Sequence, residues 1–256
     1  MGQWSLKMND FNDELHTIKL SDDGTYTAFS KEYDEHYHST KDGALKESLK
    51  KHVIPAFTFV GKEELNILDI CYGLGFNTLA TLFYYKKYKP NVRLNIYSVE
   101  LDASLVKSLV NFKYPLEFNE FKEVINSLSH DGMYKNKNIY IEICLGDARE
   151  YIKRFTDKFD IVYQDAFSPS VNPALWTIEY FYDIKNTMKK DGILTTYSTA
   201  LKTRLALHEN GFNIYVNNGV DFRNATVAAF KNLEGLKKVD MNHKISCNPD
   251  IKPLRD

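Results

Sequence analysis

From residue 65 onward the chain alternates short apolar runs with longer amphipathic stretches, and few architectures accommodate that rhythm. Residues 65–71 are almost continuously apolar, as expected of a parallel strand covered on both faces. A helix is expected over 77–87, a strand over 94–100, and a helix from an Asp102 cap through 112. Strands follow over 139–145 and 159–164, then a helix over 176–189, a strand over 193–197 and a helix over 200–210. Gly211 stands where a helix C-terminus favours glycine. Strands over 212–216 and 225–230, turned by Asn217-Asn218-Gly219, close the pattern. The alternation predicts an α/β fold with a mostly parallel, doubly wound sheet, seven strands in all, one of them antiparallel near the C-terminus.

Ahead of this lies a different texture. Residues 15–29 alternate around Ser21-Asp22-Asp23-Gly24 and predict a β-hairpin. A Tyr-, His- and charge-rich stretch over 33–42 precedes a helix with Asp42 as N-cap and Leu45, Leu49 and Val53 on one face. Residues 1–60 are therefore read as an N-terminal extension packed on a main domain over 61–256. At 256 residues and 43% hydrophobic composition, one α/β core is the natural size. A net charge of −1 excludes a global basic field. Cys71, Cys144 and Cys247 stand far apart, so neither a disulfide framework nor a metal site is expected. No apolar run approaches the roughly 20 residues that span a bilayer. The expected location is cytoplasmic, with no membrane and no obligate protein partner.

Ligands of doubly wound sheets sit beyond the carboxyl ends of the strands. The first strand runs into Asp69-Ile70-Cys71-Tyr72-Gly73-Leu74-Gly75-Phe76-Asn77, where Gly73 and Gly75 let the backbone turn tightly against a ligand. A bare βα turn is the bland alternative. A dinucleotide fingerprint would need glycine at 78, where Thr78 stands. Glu100 ends the second strand, placed to accept ribose hydroxyls of either NAD or an adenosyl cofactor. Gly146-Asp147-Ala148 ends the third and brings another acid towards the adenine amine. This excess of carboxylates suits a cationic sulfonium and would repel a pyrophosphate. The expected cofactor is S-adenosylmethionine, held by Asp69, Tyr72, Gly73, Gly75, Asn77, Glu100, Asp147 and Ala148 in a Rossmann-like class I methyltransferase fold.

The fourth strand ends in Gln164-Asp165-Ala166-Phe167-Ser168-Pro169, followed by Ser170-Val171-Asn172-Pro173-Ala174-Leu175-Trp176-Thr177. Asp165 is placed to accept hydrogen bonds from an acceptor amine; alternatively, Asp165 and Asn172 only cap turns around two prolines. The run D-A-F-S-P-S-V-N-P-A-L-W-T resembles the D-A-F-x-P-x-x-N-P-x-x-W-T signature of the methyltransferase half of the tRNA-modification protein MnmC, whose stand-alone versions are called MnmD. Tyr33-Asp34 through Tyr37 with Gly43, Glu47 and Ser48, the segment Gly146-Asp147-Ala148-Arg149-Glu150, Tyr197-Ser198-Thr199-Ala200, Arg204 and Gly211-Phe212 also match it in order. The resemblance covers roughly residues 20–230. Cys71 replaces the first glycine of the family's loop, a change tolerated if the residue keeps ordinary strand dihedrals. The family's basic run near the end is here Gly219-Val220-Asp221-Phe222-Arg223-Asn224, with one cation.

The resemblance implies methylation of 5-aminomethyl-(2-thio)uridine at the wobble position of tRNA, with the anticodon loop as partner. It assigns Asp165 the catalytic role, adds Glu47 to the cofactor residues, and gives Phe167, Pro169, Asn172 and Trp176 to the substrate. Tyr72, Phe167 and Trp176 are the aromatic side chains nearest the expected pocket, and each reads equally well as core. With one glycine-rich turn, already given to S-adenosylmethionine, no flavin is expected. Two rivals stay open: a small-molecule amine N-methyltransferase or aminopropyltransferase, which the lack of basic character favours, and a non-catalytic RNA-binding module, which intact Asp165, Gly73 and Gly75 oppose.

Overall fold

A computed structural model describes Phe11 and residues 15–256; residues 1–10 and 12–14 of the expected extension lie outside the described residues. The chain first forms a three-stranded antiparallel sheet from β1 (His16–Leu20), β2 (Tyr26–Ser30) and β3 (Glu35–His36). The expected hairpin turn is closed by Gly24 N–H donating to the Ser21 carbonyl at 3.0 Å. Then α1 (Ala44–Glu47), a π-helical turn (Ser48–Val53) and α2 (Ile54–Phe59) run on end to end. Asp42 does not cap this helix. Gly43 takes the N-cap place at φ 86°, and Asp42 is drawn off by Lys51, whose Nζ donates to it at 2.6 Å. Leu45 of α1 and Val53 are buried as expected, but the widened turn differs from a regular helix in bringing Lys51 and His52 inside as well, at 2% and 0% exposure. Leu49 is only partly buried.

The remaining elements are β4 (Glu64–Ile70), α3 (Phe76–Tyr88), β5 (Arg93–Glu100), α4 (Ala103–Ser108), α5 (Lys122–Asp131), β6 (Met133–Lys135), β7 (Ile139–Leu145), α6 (Ala148–Ile152), β8 (Phe159–Gln164), α7 (Ile178–Thr187), β9 (Met188–Thr196), α8 (Leu201–Glu209), β10 (Asn213–Asn217), β11 (Ala225–Ala229), β12 (Lys237–Lys238) and α9 (Met241–Cys247). The large sheet has the order β12-β10-β11-β9-β8-β4-β5-β7-β6. Strands β9, β8, β4, β5 and β7 pair in parallel, and β11 runs antiparallel between β9 and β10.

The seven expected strands are therefore present, but the sheet has nine, because β6 and β12 add short antiparallel edges. Both are too short and polar to carry an apolar run; β6 is held by the turn at Asn136, whose Oδ1 accepts the N–H groups of Asn138 and Ile139. The expected helix over 176–189 begins only at Ile178. Thr177 caps it, accepting from Tyr180 N–H, and its C-terminus yields at Met188 to β9. Asp102 does cap α4, accepting from Ser104 and Leu105 N–H.

Alternation along β4 divides the core. Leu65 and Ile67 face α3 and the helical segment 44–59, with Ala28 of β2 in the same apolar cluster. Leu68 and Ile70 face α6, α7 and α8 on the other side. Parallel pairing brings the carboxyl ends of β4, β5, β7 and β8 to one edge of the sheet, and the small N-terminal sheet reaches the loops there.

Candidate active site

A cavity of about 800 Å³ opens at that edge, large enough for a nucleoside-sized cofactor with room beside it. Its wall includes Gly73, Glu100, Asp147, Ala148, Asp165, Phe167, Asn172 and, from α1, Glu47. Asp69, Tyr72, Gly75, Asn77, Pro169 and Trp176 do not line it.

The glycine loop explains part of that division. Gly73 (φ 54°) and Gly75 (φ 75°) both adopt left-handed backbone. A Cβ on Gly75 would stand 2.7 Å from Tyr72 Oη, so the tyrosine is packed behind the loop and not on the ligand side. Asp69 lies beneath it, fully buried, its Oδ2 accepting from Thr78 Oγ1 at 2.8 Å. Burial pushes its carboxyl up to about 7, with Asp165 adding to the rise. Asp69 therefore ties β4 to α3; its place within the strand keeps it from the cavity. Asn77 likewise acts at one remove, donating Nδ2–H to Asp165 Oδ2 at 2.8 Å.

Cys71 departs from the expectation attached to it. Its φ is 63°, not a strand value, and the residue lines the cavity. A side chain in left-handed backbone costs about 1 kcal/mol or more. Cys71→Gly should therefore stabilise the fold by up to about 1 kcal/mol, because the greater freedom of glycine in the unfolded chain offsets part of the relief. Denaturant unfolding reads this directly, and an unchanged or lowered midpoint would show that the thiol's packing outweighs the strain.

Glu100 is held by three backbone donors: Gly73 N–H at 2.8 Å on one oxygen, Leu101 and Asp102 N–H at 2.8 and 3.0 Å on the other. Burial raises its pKa against the pull of those bonds. Asp147 caps α6 through Arg149 N–H at 2.6 Å while remaining exposed to the cavity. With Glu100, Asp147 and Asp165 at the ends of β5, β7 and β8, this set of acceptors fits a ribose-bearing, positively charged ligand. Glu100→Ala should weaken S-adenosylmethionine binding by about 1–3 kcal/mol, because hydroxyls and backbone donors lose their acceptor. Unchanged affinity in calorimetry would remove Glu100 from the ribose position.

At the end of β8, Asp165 is poised between two supports. One oxygen accepts from Asn77 and the other lies 3.3 Å from His52 Nε2. His52 is fully buried in the π-helical turn, with Nδ1 3.1 Å from Thr195 Oγ1 on β9. Burial alone would raise the Asp165 pKa, but His52 outweighs it and, with Asn77 and His38, holds the carboxyl at about 2. Asp165 is thus a carboxylate at neutral pH, with a side chain 12% exposed.

Phe167 stacks on Tyr33 (4.5 Å between centroids, 20° between planes) and tilts against Tyr37 at 4.9 Å. Glu35 of β3 accepts Ser168 N–H at 2.9 Å and also bonds its hydroxyl, pinning the loop that follows β8. Trp176 is no stacking platform: it is 0% exposed, and its Nε1–H donates to the Phe167 carbonyl at 2.8 Å. It secures the loop from behind, between Phe181 and Tyr197. The site therefore contains side chains that motif order did not assign: Tyr33, Glu35, Tyr37 and His52 from the N-terminal segment, and Tyr197. Tyr33, Glu35 and Tyr37 had a signal within the N-terminal motif, and Tyr197 within the matching closing stretch; His52 had none.

The solved structure of MNMC2 from Aquifex aeolicus superimposes with a TM-score of 0.82 at 31% identity, covering 94% of this chain and 79% of that one. The chain belongs to the MnmC methyltransferase-domain family. Residues 118–232 match a family described as S-adenosyl-L-methionine-dependent methyltransferase. An uncharacterized protein of Methanocaldococcus jannaschii is 30% identical over 226 residues, 86% of this chain and 60% of that protein. The tRNA 5-methylaminomethyl-2-thiouridine biosynthesis bifunctional protein MnmC of Leptospira interrogans is 27% identical over 206 residues, 73% of this chain. The aligned part of that bifunctional protein is 31% of its length. As in the family, the enzyme is an S-adenosylmethionine-dependent methyltransferase. No helix among the described residues is long and apolar enough to cross a membrane, and no group of three or more His, Cys, Asp or Glu among them is gathered to hold a metal.

Proposed function

We propose that the chain N-methylates 5-aminomethyl-(2-thio)uridine at the wobble position of tRNA, giving the 5-methylaminomethyl form. The observation that carries this reading is Asp165: an ionised carboxylate facing an acid-lined cavity, beside the aromatic surface of Phe167, Tyr33 and Tyr37. When bound, S-adenosylmethionine would supply an electrophilic sulfonium methyl: the lone pair of a neutral amine would form the N–C bond in line as the C–S bond breaks, the neutral thioether leaving and the ammonium proton passing to solvent. Glu100 and Asp147 are the residues proposed to hold its adenosyl part, with Gly73 and Ala148 as the close-approach wall and Glu47 as a further acid on the same cavity. Asp165 accepts a hydrogen bond from the amine and stabilises the positive charge that grows on nitrogen as the new bond forms. Asn77 and His52 fix the carboxylate's direction, and positioning contributes most of the acceleration. An anticodon-loop base is already single-stranded, so it enters such a pocket without opening a duplex, and the exposed part of the Phe167 wall offers it a π-face. Residues 1–60 act as an extension that completes the site of the 61–256 domain, and the reaction is placed in the cytoplasm.

The test is purified protein with labelled cofactor and three acceptors: tRNA bearing 5-aminomethyl groups, tRNA bearing only 5-carboxymethylaminomethyl groups, and polyamines. Methylaminomethyluridine should form from the first alone, because a carboxylate brought towards Asp165 and Glu47 is repelled. Methylated polyamines with untouched tRNA would establish the small-molecule rival, and no transfer to any acceptor would favour a binding module.

A further inference from the structure

Seven carboxylates line the cavity against three permanent cations, Lys41, Arg149 and Arg223. Such a wall suits a sulfonium and an amine, yet an RNA acceptor brings a phosphate with each nucleotide. The three cations are not equivalent. Arg149 has both terminal nitrogens on Asp256, so its fork is occupied. Arg223 donates only Nε–H, to Asp42 Oδ2 at 3.2 Å, and its side chain is 64% exposed. Among the described residues its Nη1 and Nη2 have no protein acceptor.

What holds Arg223 is unusual for a surface cation. Asp42 is 4% exposed and accepts from Lys51 Nζ at 2.6 Å; Lys51 is 2% exposed and also donates to Glu47 Oε1 at 2.7 Å. The row Glu47, Lys51, Asp42, Arg223 alternates in sign and runs from the cavity wall to its mouth. Burying three charges is costly, and a Lys51–Glu47 pair alone would tie successive helical turns together. The added members reach the mouth and leave a guanidinium there, aimed by a buried carboxylate, with two nitrogens to spare. That fork matches the oxygens of a phosphate. Deeper in the cavity the carboxylates repel such a group. Lys41, next to Asp42 in the chain, lines the same cavity.

We propose that Arg223 is a phosphate subsite, taking one backbone phosphodiester of the RNA acceptor beside the nucleotide that enters the cavity. The proposal rests on the RNA-methylation reading above. It gives a protein of net charge −1 a local means of holding a polyanion.

The experiment uses the full chain, wild type and the variants Arg223→Ala and Arg223→Lys, with a stem–loop RNA carrying 5-aminomethyluridine. Turnover is measured across a salt series, with cofactor affinity and melting temperature alongside. Arg223→Ala should raise KM for RNA about tenfold with little change in kcat, cofactor affinity or melting temperature. It should flatten the slope of log kcat/KM against log salt by about 0.7, the share of one single-strand phosphate. Arg223→Lys should restore the slope but only part of the KM, because it keeps the charge and loses the fork. An unchanged KM and slope in Arg223→Ala overturns the subsite. So does a loss accompanied by weaker cofactor binding or a lower melting temperature, which would make Arg223 a brace for Asp42. Inorganic phosphate inhibiting as strongly as an unmodified stem–loop would make this a free-anion site, against the RNA assignment. Wild-type protein inert towards the RNA refutes the methylation reading itself, a result separable from an active enzyme indifferent to Arg223.

Discussion

Asp165→Ala should lower turnover at least a hundredfold, roughly 3 kcal/mol of transition-state stabilisation, while cofactor affinity stays near that of the wild type. The separation follows from position: Asp165 shares the cavity with Glu100 and Asp147, but it stands at the end of β8, on the side held by Asn77 and His52. Asp165→Asn keeps the shape and removes the charge, so it should fail almost as severely. The pH profile gives a second check. With its carboxyl at about 2, Asp165 remains ionised throughout the working range, so an acid limb of kcat/KM near neutral pH should not report Asp165 and should persist in variants that keep its charge. The same depression has a stability consequence. The folded pKa lies below the unfolded value, so the stabilisation is present above about pH 4 and is lost as pH falls towards 2. Wild-type turnover in Asp165→Ala would mean that another group positions the amine.

The second large effect is on folding. Lys51→Met should destabilise the protein by about 3–5 kcal/mol, the usual cost of breaking a buried ion pair from one side. Methionine fills most of the lysine stem's space, so packing loss is small; what remains is two buried carboxylates, Asp42 and Glu47, without their shared cation. The pH dependence identifies the cause. In the wild type, burial raises the Asp42 pKa, but Lys51 and Arg223 outweigh this and hold it below the ordinary value. That contribution is present above about pH 4, the unfolded value, and is lost as pH falls through the folded one. Without Lys51 the orphaned carboxylate gains by taking a proton, so the gap between variant and wild type should narrow on acidification. Urea unfolding at neutral pH and near pH 4.5 measures both quantities. A deficit under about 1 kcal/mol, or one that does not vary with pH, would mean that solvent already compensates these charges.

Much of the fold was legible because parallel strands buried on both faces must be continuously apolar. The strands over 139–145 and 159–164 coincide with β7 and β8 to the residue. Helices α5, α6 and α9 and strands β3, β6 and β12 were not: β3, β6, β12 and α6 are too short to show a period and α9 is mostly exposed, whereas α5 buries Val124, Ile125 and Leu128 on one face, a pattern that was there to be read. Within the site, legibility ended where side-chain direction began. Asp69 and Asp165 look alike as acids near strand ends, yet one is sealed under α3 and the other faces the cavity. Cys71 read as tolerated on the condition of strand dihedrals, and its φ of 63° shows that the condition fails in the turn after β4.

The sequence by itself determined the seven central strands, the glycine turn after β4 and the acids at strand ends, because each is a local pattern of burial or backbone freedom. Tertiary structure alone decided what meets at the cavity. His52, set inward by a π-helical turn, reaches Asp165, and Asp42 holds Arg223 from 181 positions away. Trp176, whose indole the signature offered as a stacking surface, is turned into the core to anchor the Phe167 carbonyl. Such contacts depend on how elements pack and where each side chain then points. One residue's shift along a strand or helix reverses that, and the sequence periodicity leaves it open.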